Sequence, residues 1–174
     1  MTILFVCTGN TCRSPLALAA WRALQARGEM PGDWAAFSSG LAPDSGEAAA
    51  RHAVEIARSW GIDLSGHRAR SVDAGALRQV DVCVGLTLSH TRLLQRMLRS
   101  QPGAPQVLCL SDFLPSSPQG EAVDRLLAGA PTSSSAEIDD PYGGSREAYE
   151  SCAALIRHAI ENLARHLSTD GATN

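Results

Sequence analysis

Short apolar runs alternate with longer stretches of helical period along the chain. Thr2-Ile3-Leu4-Phe5-Val6-Cys7 is a β-rich run that ends at Gly9-Asn10, and Ser14-Pro15 then opens an Ala/Leu/Arg stretch to about Arg27. This predicts strand, tight loop and helix, with Ser14 as N-cap and Pro15 at the first helical position, where its missing N–H costs nothing. Trp34–Ser38 predicts a second strand. Residues 46–60 predict a helix with Ala49, Ala53, Ile56, Ala57 and Trp60 on one face. Val80–Leu86 is a buried-strand run, followed by a helix capped by Ser89 and running through Met97. Gln106–Leu110 predicts a fourth strand. Residues 145–167 predict a last helix, with Tyr149, Cys152, Ala153, Ile156, Ile160 and Leu163 at helical spacing.

Strands and helices alternating at these lengths call for a parallel sheet covered on both faces, with ligands beyond the carboxyl ends of its strands. Cys7 stands at such an end. Residues 111–138 break the rhythm with a Pro/Ser/Gly-rich passage and are expected to form a surface insertion. The remainder, 1–168, is expected to be one domain, with 169–174 as a tail.

Composition narrows the chemistry. The chain has 174 residues, 44% of them hydrophobic and 19% charged, and a net charge of −3, which gives no reason to expect a nucleic-acid partner. All 15 basic residues are Arg, so lysine Schiff-base chemistry and a Walker-type phosphate lysine are excluded. No basic leader precedes the first strand and no apolar run is long enough to span a bilayer, so no membrane association is expected and the location is expected to be cytoplasmic. Five cysteines (7, 12, 83, 109 and 152) form no disulfide framework.

The first loop, Cys7-Thr8-Gly9-Asn10-Thr11-Cys12-Arg13-Ser14, has a physical use for each part. Successive amides at a helix N-terminus make a concave anion site, and a thiol facing it is favoured as its nucleophilic thiolate. Gly9 is expected where the backbone must turn, and Asn10 tolerates a left-handed conformation. Arg13, six residues after Cys7, offers a planar fork to two phosphoryl oxygens. Ser14 can donate its hydroxyl to the sulfur. A metal site at Cys7 and Cys12 has no second Cys/His pair to complete it, and a redox motif would use Cys-x-x-Cys. The best candidate for a partner acid is Asp139-Asp140-Pro141-Tyr142-Gly143-Gly144, where Pro141 stiffens a loop just before the final helix.

With these residues, the chain resembles the low-molecular-weight protein tyrosine phosphatase family over nearly its whole length, including Ser38-Ser39-Gly40 and His67-Arg68-Ala69-Arg70. The resemblance implies a three-layer α/β fold with a four-stranded parallel sheet, flavodoxin-like and Rossmann-like (the phosphotyrosine protein phosphatase I fold). It implies no cofactor and no metal, and phosphorylated proteins as substrates of a monomer. Carried over residue by residue, it makes Cys7 the nucleophile, Arg13 the phosphoryl ligand and Asp140 the general acid. Thr8, Gly9, Asn10, Thr11, Cys12 and Ser14 complete the phosphate loop, with Ser38 and His67 as its braces. His52, His90, His158 and His166 match no family position and are read as solvated or structural.

Within the family the likeness is to the bacterial protein arginine phosphatases. Thr11 stands where tyrosine-specific members carry a larger aliphatic residue, and Asp140–Ser145 resembles the arginine branch's Asp-Pro-Phe-Gly-Gly-Ser. The departures are Tyr142 for Phe and the extra acid Asp139. Thr11 and Tyr142 are therefore the expected substrate-pocket residues. Phosphoarginine is the expected substrate, with phosphotyrosine the alternative by the same phosphocysteine route. An arsenate reductase would need resolving cysteines in a mobile segment, whereas Cys83 and Cys109 fall in core strands and Cys152 on an apolar helix face. A phosphoprotein-binding module would need neither the thiolate nor the acid.

Overall fold

The computed structural model of the chain describes residues 1–30, 33–99, 101–114 and 137–170. Four parallel strands, β1 (Thr2–Cys7), β2 (Ala35–Gly40), β3 (Val82–Gly85) and β4 (Gln106–Cys109), form one sheet in the order β2-β1-β3-β4. The helices are α1 (Arg13–Ala26), α2 (Arg51–Ser59), the single turn α3 (Ala74–Leu77), α4 (Leu88–Leu98) and α5 (Arg146–Asp170).

The period-2 geometry of β1 builds the layers. Ile3 and Phe5 enter one core with Leu16 and Trp21 of α1 and Ile156 and Ile160 of α5. Leu4 and Val6 enter the other with Leu77 of α3 and Leu94 and Leu98 of α4. Both faces of the sheet are thus covered, which is the expected three-layer α/β architecture. Trp21 bridges the first core, 5.8 Å from the ring of Phe5 and 5.6 Å, edge-on, from that of Trp34. From β1 the chain passes outward to β2, and β3 pairs on the opposite side, so the crevice beyond Cys7 is the topological switch point of the sheet.

Several boundaries differ from the expectations, each for a local reason. α1 begins at Arg13 with Cys12 as N-cap, so Ser14 lies inside the first turn and its hydroxyl serves the loop. Pro15 still costs nothing, because first-turn amides have no helical acceptor. α2 begins at Arg51 rather than at 46: Gly46 has φ 91°, Gly46 and Glu47 exchange backbone bonds with Ala69, and the Ala50 amide donates to Thr11 O. α4 is capped by Thr87 rather than Ser89, since the carbonyl of Thr87 accepts the Thr91 amide.

The edges of the expected 111–138 insertion belong to the core: Leu110–Phe113 is a 3-10 turn, and Leu114 and Ile138 are buried beside α5. Residues 115–136, including Pro115–Gly120 and Ala130–Ala136, lie outside the described residues, as do 171–174 of the expected tail; 169 and 170 continue α5.

Candidate active site

Cys7 ends β1 with its Sγ turned into the loop, 3.1 Å from Ser14 Oγ and accepting the Asn10 amide at 3.3 Å. Asn10 Nδ2 donates to Ser14 Oγ at 2.9 Å, which leaves the hydroxyl proton of Ser14 for the sulfur, with the Ser39 carbonyl at 3.3 Å as its other acceptor. The only left-handed non-glycine residue among those described is Asn10, at φ 55°. It is fully buried and uses every polar atom. Nδ2 also donates to Ser38 Oγ at 3.1 Å, Oδ1 accepts the Arg70 amide at 3.1 Å, and the carbonyl accepts His67 Nε2 at 2.7 Å. Ser38 and His67 thus both stand against the loop. Burial, then the nearby arginines, hold His67 below its ordinary pKa, so the neutral ring with its proton on Nε2 makes this bond.

The amides of Thr8, Gly9, Thr11 and Cys12 have no acceptor among the described residues. Four unpaired donors beside the start of α1 are an arrangement suited to an anion. Gly9 does not supply the turn for steric reasons, because a Cβ there would meet Thr11 Oγ1 at an ordinary 3.7 Å. The steric need falls on Gly40, where a Cβ would lie 2.5 Å from Thr8 O.

Arg13 is 6% exposed. One of its terminal nitrogens donates to Asp140 Oδ2 at 2.5 Å and the other to Ile138 O at 3.4 Å, while its buried Nε has no partner among the described residues. Asp140 also accepts the Tyr142 amide on Oδ1 at 3.2 Å. The cation and the acid, 127 positions apart, therefore meet over the loop. A cavity of about 260 Å3 opens there, walled by Cys7, Thr11, Arg13, Asp140 and Tyr142. Tyr142 is 68% exposed and stands at the rim.

Residues 2–173 match the family model described as low molecular weight phosphotyrosine protein phosphatase. The chain belongs to that family. Among curated members of the family, it is 32% identical over 160 residues to the probable low molecular weight protein-tyrosine-phosphatase EpsP of Ralstonia solanacearum, covering 92% of this chain and 91% of that protein. It is 27% identical over 172 residues to the protein-arginine-phosphatase of Bacillus subtilis, covering 98% and 99%. Among solved structures, the low molecular weight protein tyrosine phosphatase of T. tengcongensis superposes with a TM-score of 0.74 at 32% identity, over 95% of this chain and 99% of that one.

Several residues around the loop were not singled out in the sequence. His90 is buried, with Nε2 3.0 Å from Thr8 Oγ1 and Nδ1 2.8 Å from Thr87 Oγ1. The available signal was Thr87-x-x-His90, an N-cap and a side chain three residues on, able to pair across the first turn. Tyr149, expected only as a core residue, puts its hydroxyl 3.0 Å from Cys12 Sγ. Burial raises the pKa of the Cys12 thiol, against that hydrogen bond. Asp44 and Glu47 line the mouth of the cavity with Ala42, because 41–50 folds back over the loop instead of starting a helix.

Proposed function

We propose that this family member is a protein phosphatase that hydrolyses phosphoarginine through a phosphocysteine at Cys7. Cys7 thiolate attacks phosphorus in line, the P–N bond breaks, and Asp140 as a carboxylic acid gives its proton to the departing guanidine nitrogen. Amides of the loop and the Nε of Arg13, which has no partner among the described residues, receive the equatorial oxygens. An arriving phosphoryl group competes with Asp140 for Arg13. In the second half, Asp140 carboxylate takes a proton from water, the water oxygen attacks phosphorus, and phosphate leaves with the thiolate restored. Ser14 steadies the sulfur in both halves.

The observation that carries the substrate choice is the polarity of the walls: Thr11, Asp44, Glu47 and Asp140 face the cavity. The two carboxylates of Asp44 and Glu47 favour a guanidinium over a neutral ring, which prefers apolar surfaces. Tyr142 at the rim supports the second reading, phosphotyrosine, since an aromatic edge can stack on a phenyl ring. Cys83 and Cys152 are buried with their thiols pushed up to about 12, which supports neither as the resolving cysteine of an arsenate reductase. We place the enzyme in the reducing cytoplasm, working as a monomer on phosphorylated proteins.

Hydrolysis of matched phosphoarginine and phosphotyrosine peptides, repeated with Thr11→Ile, tests the choice. Wild type should favour phosphoarginine in kcat/KM, and the variant should shift the ratio toward phosphotyrosine. An unchanged ratio removes the arginine assignment and leaves the phosphatase.

A further inference from the structure

A second cavity, of about 330 Å3, lies along β2. Arg22 of α1, Phe37 of β2, and His67, Arg68 and Arg70 of the segment after α2 share its walls. The charge here is unbalanced. Among the described residues, the guanidinium groups of Arg22 and Arg70 have no hydrogen-bond or ion-pair partner, and Arg68 holds only the carbonyls of Ser65 and His67. The one carboxylate in the lining, Asp63, is occupied by the amide and hydroxyl of Ser65. All three arginines share this cavity wall with His67 and disfavour its protonation. Three cations so placed repel one another, and guanidinium forks are suited to phosphate oxygens. Beside them Phe37 is 47% exposed and continues into Leu18 and Leu64 as an apolar wall.

We propose that this cavity is a second anion site, which takes a phosphate monoester dianion with a flat apolar body: the phosphoryl group on Arg22, Arg68 and Arg70, the body on Phe37. It is separate from the Cys7 cup yet coupled to it. His67 Nε2 bonds the carbonyl of Asn10, the Arg70 amide bonds Asn10 Oδ1, and the Asn10 amide bonds the sulfur of Cys7. An anion that draws Arg70 and His67 is therefore felt at the nucleophile's own hydrogen bond.

Phenylphosphonate, a non-hydrolysable probe, would be titrated into the full 15N-labelled chain while backbone amides are followed. Wild type should show two responses, one at Thr8–Arg13 and one at Phe37 and Gly66–Arg70. Removing the cup with Arg13→Ala, or blocking it by carboxymethylation of Cys7 if that variant does not fold, should abolish the first response at every amide but that of Asn10, which should move with the second response. R22A/R70A, which deletes two guanidinium groups that have no hydrogen-bond or ion-pair partner among the described residues, should weaken the second response by about tenfold or more and spare the first. A parallel titration with the same phosphonate in a short peptide identifies the source: tighter binding than phenylphosphonate means a phosphorylated protein segment, equal or weaker binding a small molecule. The site is refuted if Phe37 and Gly66–Arg70 stay still in the cup-blocked protein, or respond undiminished in R22A/R70A. A chain with no phosphatase activity would give the same second response, so failure of the catalytic proposal is read separately.

Discussion

Acidification should destabilise this protein through one histidine. His90 is 5% exposed and sits between two hydroxyls, Thr8 Oγ1 and Thr87 Oγ1. A neutral imidazole satisfies both bonds in either tautomer, because each hydroxyl can donate or accept. A protonated ring would need both hydroxyls as acceptors and would stand near Arg13. Burial first, and Arg13 second, push its pKa from 6.5 down to about 4. The unfolded chain therefore binds a proton below 6.5 that the folded chain refuses until about 4. Stability conferred by the neutral ring is complete above 6.5 and declines as the pH falls to about 4. At tenfold per pH unit, the gap is worth about 3 kcal/mol, a large share of a typical domain's stability. Urea unfolding at pH 7 and pH 4 would be compared for wild type and His90→Gln, which keeps a hydrogen-bonding group but does not titrate. Wild type should lose about 3 kcal/mol more than the variant over this interval. His67 is also held below its ordinary pKa and acts in the same sense, but it is present in both proteins and cancels from the difference. Equal losses in the two proteins, or an NMR titration placing His90 at 6.5 or above, would refute the reasoning.

Three further outcomes are expected. Cys7→Ser should abolish phosphate release, while Asp140→Asn should still bind phenylphosphonate yet release phosphate roughly 100-fold or more slowly; a fully active Cys7→Ser protein would end the catalytic proposal. Gly40→Ala should cost about 1–3 kcal/mol in urea unfolding and lower kcat, since its Cβ would lie 2.5 Å from Thr8 O and push the loop. Asn10→Ala should cost roughly 2–4 kcal/mol, because it strands Ser14, Ser38 and the Arg70 amide and leaves alanine at φ 55°, and unfolding at pH 7 measures it.

Much of this protein is carried by local sequence. The apolar run into Cys7, the loop to Ser14 and the helix after it follow from short-range pattern, because anion cups and helix starts are made by neighbours in the chain. The same holds for the fold class, which the alternation of strands and helices decides through the need to cover both faces of a parallel sheet. Other features required long-range contacts. Whether residues 46–50 would be helix or an extended wall depended on Ala69 and Thr11 competing for their backbone bonds. His90, 82 positions from Thr8, became part of the loop only when β3 paired with β1 and carried α4 to the crevice. Likewise Arg22, Arg68 and Arg70 are unremarkable in sequence, and folding gathers them into one uncompensated cavity. Sequence alone settles what a segment can satisfy within itself, and tertiary structure decides where its remaining donors, acceptors and charges must look for partners.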